Sequence, residues 1–266
     1  MESLLAVLAS ILYLFAIATI VPGLVHQTGI RAKIVFISAL GALVFHGWLL
    51  HDLIHTDGIT GQNLSILNVA SVISFIVSLV MSLAMLRTRL WFLLPVVYSF
   101  SAINLLASTF LPGTMVMHFE NQPGLLVHIT LALFSYATLT IAALYALQLA
   151  WLDYKLKAKK AMVMNPNLPP LMKIERQLFN IILIGTGLLT LTLLSGFVFL
   201  EDMFAQGKAH KAILSMIAWV VYSILIWGHY QQGWRGRKVT WYSVIGACLL
   251  TLAYFGSRFV KEVILS

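Results

Sequence analysis

Apolar residues in this chain neither alternate with polar ones, as in a half-buried strand, nor keep to one stripe of a surface helix. They come in nearly unbroken runs separated by short polar turns. Eight runs reach or approach the ~20 residues that a helix needs to cross a bilayer. They cover 3–24, 34–51, 64–86, 90–111, 124–151, 178–200, 212–231 and 239–260, the second being the shortest. The longest connection, 152–177, is too short for a separate soluble domain. The pattern predicts an all-α fold, a single integral membrane domain over 1–266 built as a bundle of eight transmembrane helices. Small polar residues mark the faces that meet. Asn68, Ser71, Ser74, Ser78 and Ser82 recur at three- and four-residue spacing on the third helix, and Gly185, Thr192, Ser195 and Gly196 fall on the sixth. Such residues let membrane helices approach closely and hydrogen-bond to one another.

Composition adds an orientation. Hydrophobic residues make up 60% of the chain and charged residues 10%, too few charges to cover a soluble domain of this size. A net charge of +8 would suggest nucleic acid in a soluble protein. Here the basic residues sit in turns between apolar runs, so they read as orientation signals and contacts to the lipid bilayer, with no nucleic-acid partner. The first, third, fifth and seventh connections hold 13 Lys and Arg, whereas the second, fourth and sixth hold 2. That asymmetry puts the odd connections in the cytoplasm and both termini outside. The first run carries Glu2 and no Lys or Arg before Arg31, so it is expected to be a retained span and not a cleaved signal. The lone Cys248 excludes an internal disulfide, a CxxC pair and a c-type heme attachment site.

Almost no Asp, Glu, Lys or Arg falls in mid-span, which argues against ion pumping or secondary transport. A Ser-His-Asp set, paired carboxylates, a phosphate loop and an HExxH motif are all missing from the sequence, so no enzymatic activity is expected. The spans do contain histidine. His46 lies about 9 Å, and His128 about 6 Å, inside the outer boundary at 1.5 Å per residue. Two imidazoles at similar depth fit opposite faces of one flat cofactor, as in bis-histidine heme ligation; each equally fits a hydrogen bond to a neighbouring helix. Ser135 and Tyr136, two turns below His128, are candidates to support it. His229 ends the seventh span at the cytoplasmic rim, too far away to share an iron with those two, and His26 ends the first span on the same side. Either a pairing of these two or simple interfacial snorkelling fits. His51 and His55, at i and i+4 with Asp52 and Asp57 nearby, form a metal-like arrangement for zinc or cobalt on the outer surface. His118 and His210 fall in outer loops. The seven tryptophans mostly sit near span ends, as an interfacial belt does.

Three segments together resemble the membrane cytochrome c assembly family that includes CcsA, CcmC and HemX. They are LLVHITLALFSYATLTIAALYALQLAW at 125–151, TGLLTLTLLSGFV at 186–198, and AWVVYSILIWGHYQQGWRGRK at 218–238 continuing into VTWYSVIGACLL. GQNLSILNVAS at 61–71, LLPVVYSF at 93–100, PGLLVHI at 123–129 and LPPLMKIER at 168–176 extend the likeness to a bacterial inner-membrane branch of that family. The resemblance implies a multi-pass protein of the bacterial inner membrane that binds heme b and takes part in heme handling or cytochrome c-type biogenesis. By the same resemblance, His128 matches the family's external heme-ligand histidine, and His229 the ligand histidine nearer the cytoplasm. His46 is proposed as the partner of His128 from depth alone.

The loop 200–212, LEDMFAQGKAHKA, departs from the family: it has no tryptophan where the family carries a WGxxWxWD-type loop, and no histidine follows the last span. Delivery of heme to apocytochrome c is therefore not implied. Two alternatives stay open. One is a non-enzymatic accessory in divalent-cation (magnesium or cobalt) homeostasis that uses His51, Asp52, His55 and Asp57. The other is a HemX-like regulator of heme synthesis, with a cytoplasmic protein partner docked on the basic 153–176 connection.

Overall fold

The computed structural model describes residues 1–26, 29–55, 61–111, 113–118, 122–157, 170–199 and 209–256. Eight helices are present among them. They are α1 (Glu2–Val25), α2 (Ala32–Ile54), α3 (Ile66–Ala84), α4 (Leu94–Phe110), α5 (Pro123–Lys157), α6 (Leu171–Phe199), α7 (Ala209–Gln232) and α8 (Arg237–Thr251), the last running on into a π-helical turn, Leu252–Gly256. All but α4 are long and apolar enough to cross a membrane.

Two boundaries differ from the expectation. The second span, expected to be the shortest, is a 23-residue helix. The short one is α4, with 17 residues, because Pro95 lies in its first turn, where a missing N–H costs least, and residues 91–93 form a turn ahead of it. In the fifth connection, α5 reaches Lys157 and α6 begins at Leu171, directly after Pro169-Pro170, so both helices extend into the predicted loop. The Asp153–Lys157 ion pair at 2.7 Å, one turn apart, supports the end of α5.

The helices group into two compact units, α1–α4 and α5–α8. In the first unit α1 packs on α2 and α4, and α3 packs on the same two, which closes a four-helix ring. Small residues face inward along α1. Ala6, Ala9 and Ala16 share its buried stripe with Leu5, Tyr13 and Ile20, and this stripe meets Leu49 of α2 and Leu105 of α4. The serine face of α3 is buried as expected. Ser78 bonds Ser101 at 2.6 Å and Ser82 bonds Tyr98 at 2.9 Å, both on α4. A feature the sequence did not suggest closes one end: Gln62–Asn63 pairs antiparallel with Val116–Met117. Asn63 ties the two connections together, donating from its amide to Gly113 O at 3.1 Å and accepting from Met115 N at 3.0 Å.

The second unit is another four-helix ring, in which α5 packs on α6 and α8 and α7 packs on the same two. Ser135 of α5 donates to Gly185 O of α6 at 3.2 Å. Gly185 is needed there, since a Cβ would lie 2.6 Å from the Leu139 side chain. Between α7 and α8 the chain reverses through Gly233 (φ 63°) and Gly236 (φ 62°), backbone angles that glycine tolerates best.

Candidate functional site

The histidines divide by whether a ring nitrogen is left open. His46 of α2 is completely buried. Its Nδ1 meets Tyr13 Oη of α1 at 3.1 Å and its Nε2 meets Ser71 Oγ of α3 at 3.0 Å. Tyr13 and Phe75 stand edge-on to the ring. Both nitrogens are therefore engaged inside the first unit, and ligation of a metal by His46 would require it to give up one of these bonds.

His128 of α5 is different. Its Nδ1 faces Thr192 O at 3.1 Å and Ser195 Oγ at 3.0 Å, both on α6. A carbonyl oxygen can only accept, so Nδ1 carries the proton in this contact and Nε2 keeps a bare lone pair. Ser195 Oγ in turn donates to Thr192 O at 2.8 Å, which holds the pair of acceptors together. The ring is half-buried, so Nε2 is neither sealed in the core nor fully in solvent. Ser135 and Tyr136 do not take the expected supporting role: Ser135 bonds Gly185 O and Tyr136 bonds Thr251 Oγ1 at 2.9 Å. Thr192 and Ser195 take it instead. The signal for them was in the sequence, as the small polar face of the sixth span, but it pointed only to helix packing.

His229 repeats the arrangement at the end of α7. Its Nδ1 donates to Trp234 O at 3.1 Å, across the Gly-bounded turn. The ring lies flat against Phe179 of α6, centroids 3.3 Å apart and 12° from parallel. Trp234 folds back over Gly228, where a Cβ would run into the indole. Lys238 lies 5.3 Å above the same indole, and Arg235 Nε reaches Glu175 of α6 at 3.5 Å. The WGHYQQGWRGRK run is thus a corner tied to α6 and α8 by these contacts, with the His229 imidazole held within it. His128 touches α6 at Thr192 and His229 touches it at Phe179, about 20 Å apart along the helix at 1.5 Å per residue. One iron cannot bridge them.

His51 and His55 lie at the end of α2, which continues through Ile54 with His55 as its C-cap. Their rings are 4.8 Å apart and 22° from parallel. Asp57 and the 200–208 part of the tryptophan-free loop fall outside the described residues, as does most of the basic connection. Among the described residues no three His, Cys, Asp or Glu side chains already converge on one point. His26 caps α1 in the first unit, and His118 and His210 are exposed.

An all-helical membrane protein with two four-helix units and inward-held histidines is the class these features define. Its sequence places it further. The profile of the family described as Cytochrome C assembly protein matches residues 34–265. The chain is 52% identical to the Inner membrane protein YpjD of Escherichia coli (strain K12) over 259 residues, covering 97% of this chain and 98% of that one. Similarity extends to Protein HemX of Brevibacillus brevis, 25% identical over 64% of each chain, and to Cytochrome c biogenesis protein CcsA of Mesostigma viride, 23% identical over 60% of this chain and 61% of that one. The chain belongs to the cytochrome c assembly family and is a multi-pass inner-membrane protein. No solved structure matches it.

Proposed function

We propose that this protein is a non-enzymatic heme-binding member of its family, with heme held in the α5–α8 unit. The observation that carries the reading is the shared state of His128 and His229. Each gives its Nδ1 hydrogen to a backbone carbonyl and leaves Nε2 without a partner among the described residues. Heme iron is ligated by just such a nitrogen, and an oxygen on the opposite ring nitrogen fixes the tautomer and raises ligand basicity. A b-type heme held there would supply a redox-active or transferable iron porphyrin. The chain's own part is to orient the imidazoles. His128 is locked between Thr192 and Ser195, and His229 is locked by Trp234 O and the face of Phe179.

The names of the relatives support a role in cytochrome c biogenesis for this heme. The missing tryptophans in 200–212 favour holding or sensing heme over cradling it for release. The test is the absorption spectrum of protein purified in detergent from heme-replete cells. A Soret band is expected, diminished in both His128→Ala and His229→Ala and abolished in the double variant. A colourless wild-type protein would sink the reading.

A further inference from the structure

A second constellation lies in the first unit, at the ends of α1, α2 and α4 that the charge asymmetry places outside. There a cleft of about 730 Å³ is lined by Glu2 of α1, by Trp48, His51, Asp52 and His55 of α2, and by Phe110 of α4. Both histidines are exposed. Each ring is anchored through Nδ1: His51 donates to Asp52 Oδ1 at 3.4 Å and His55 donates to the His51 carbonyl at 3.2 Å. An oxygen on Nδ1 keeps the proton there and leaves the Nε2 lone pair for a metal, which is how ligating histidines are commonly prepared.

Two imidazoles sharing a tetrahedral ion at bonds of ~2.0–2.1 Å have ring centres about 5 Å apart. The observed separation is 4.8 Å, but the rings are stacked 22° from parallel. Each must turn to bring the two lone pairs to one point, which loosens the long Nδ1 contacts and which the exposed positions of both rings allow. We propose that this cleft binds a divalent transition-metal ion of the zinc, nickel or copper class, with Nε2 of His51 and Nε2 of His55 as its protein ligands and water in the remaining positions. Nitrogen donors select such ions over magnesium and calcium, which take oxygen ligands. Asp52 is a positioning residue that holds the His51 tautomer.

The site is independent of heme. The test is calorimetric titration of the full-length, metal-stripped protein in detergent with zinc chloride alone, and separately with magnesium chloride. About one zinc per chain is expected, with magnesium showing no heat above dilution. His51→Ala and His55→Ala should each weaken zinc by at least about tenfold. His128→Ala, monitored on the same samples, should leave zinc binding unchanged while lowering the Soret band. The substituted histidines are on the surface, and a monodisperse elution profile checks that the variants are folded. Zinc binding that survives the His51→Ala/His55→Ala double substitution at wild-type affinity overturns the proposal. So does a wild-type protein that binds no zinc, or one that binds magnesium equally well.

Discussion

The two four-helix units use buried polarity in opposite ways. In α1–α4 the polar groups satisfy one another. Tyr13, His46 and Ser71 form one hydrogen-bonded set, and Ser78 with Ser101 and Ser82 with Tyr98 form others. Only the Ser10 hydroxyl is buried there without a partner among the described residues. In α5–α8 the Gln148 amide and the hydroxyls of Thr186 and Ser243 are buried and make no hydrogen bond among the described residues. His128 and His229 each keep Nε2 open as well. A paired polar core joins helices, whereas an unpaired one carries a standing cost that ligand binding can offset. The buried polar groups of the first unit thus join helices, whereas those of the second are the ones left open for the proposed heme.

The sharpest way to break that assignment is through the histidines. His128→Ala with His229→Ala is expected to remove heme absorbance entirely while shifting thermal stability of the apoprotein by less than about 1 kcal/mol, because each ring has only one anchored nitrogen. His46→Ala should do the reverse. It leaves Tyr13 and Ser71 unpaired and opens a cavity, for a loss of about 2–3 kcal/mol by thermal melting in detergent, yet the remaining folded protein should keep its heme per chain. If His46→Ala abolished heme at unchanged stability, the division of labour would be wrong.

Smaller effects sharpen the contrast. Gln148 is 1% exposed with both amide atoms unpaired, so Gln148→Leu should stabilise the heme-free protein by about 1–2 kcal/mol. A destabilised Gln148→Leu protein would mean that the amide already has a partner. In the first unit the matching change, Ser101→Ala, should instead cost about 1 kcal/mol, since Ser78 loses its bond. The least effect on the fold is expected from Ser195→Ala. Thr192 O still holds His128 Nδ1, so the fold is unaffected, and heme affinity falls about tenfold as measured by heme titration of the apoprotein.

How far the sequence could be read differs along the chain. The helices were legible almost to their ends, because a lipid-facing helix must be apolar on nearly every side and leaves a long continuous signal. The exceptions have local causes: Pro95 trims α4, and Pro169-Pro170 lets α6 start early, before its apolar run begins. The two-residue ribbon of Gln62–Asn63 with Val116–Met117 was not legible, since two residues on each side carry no periodicity. Of the candidate site residues, His46 and His128 looked equivalent by depth. They part company only because α1 and α3 bring Tyr13 and Ser71 to both sides of one ring, while α6 brings acceptors to a single nitrogen of the other.

The sequence by itself determined that this chain is a multi-pass membrane protein built from eight helices, which connections carry the positive charge, and to which family it belongs. Hydropathy, loop charge and motif spacing are properties of neighbouring residues, and no folding is needed to read them. Only the tertiary structure decided which imidazole nitrogens are used up and which remain open. Hydrogen bonds saturate atom by atom, and the atoms that saturate them come from helices tens of residues away in the chain: Ser71 lies 25 residues beyond His46, and Ser195 lies 67 beyond His128.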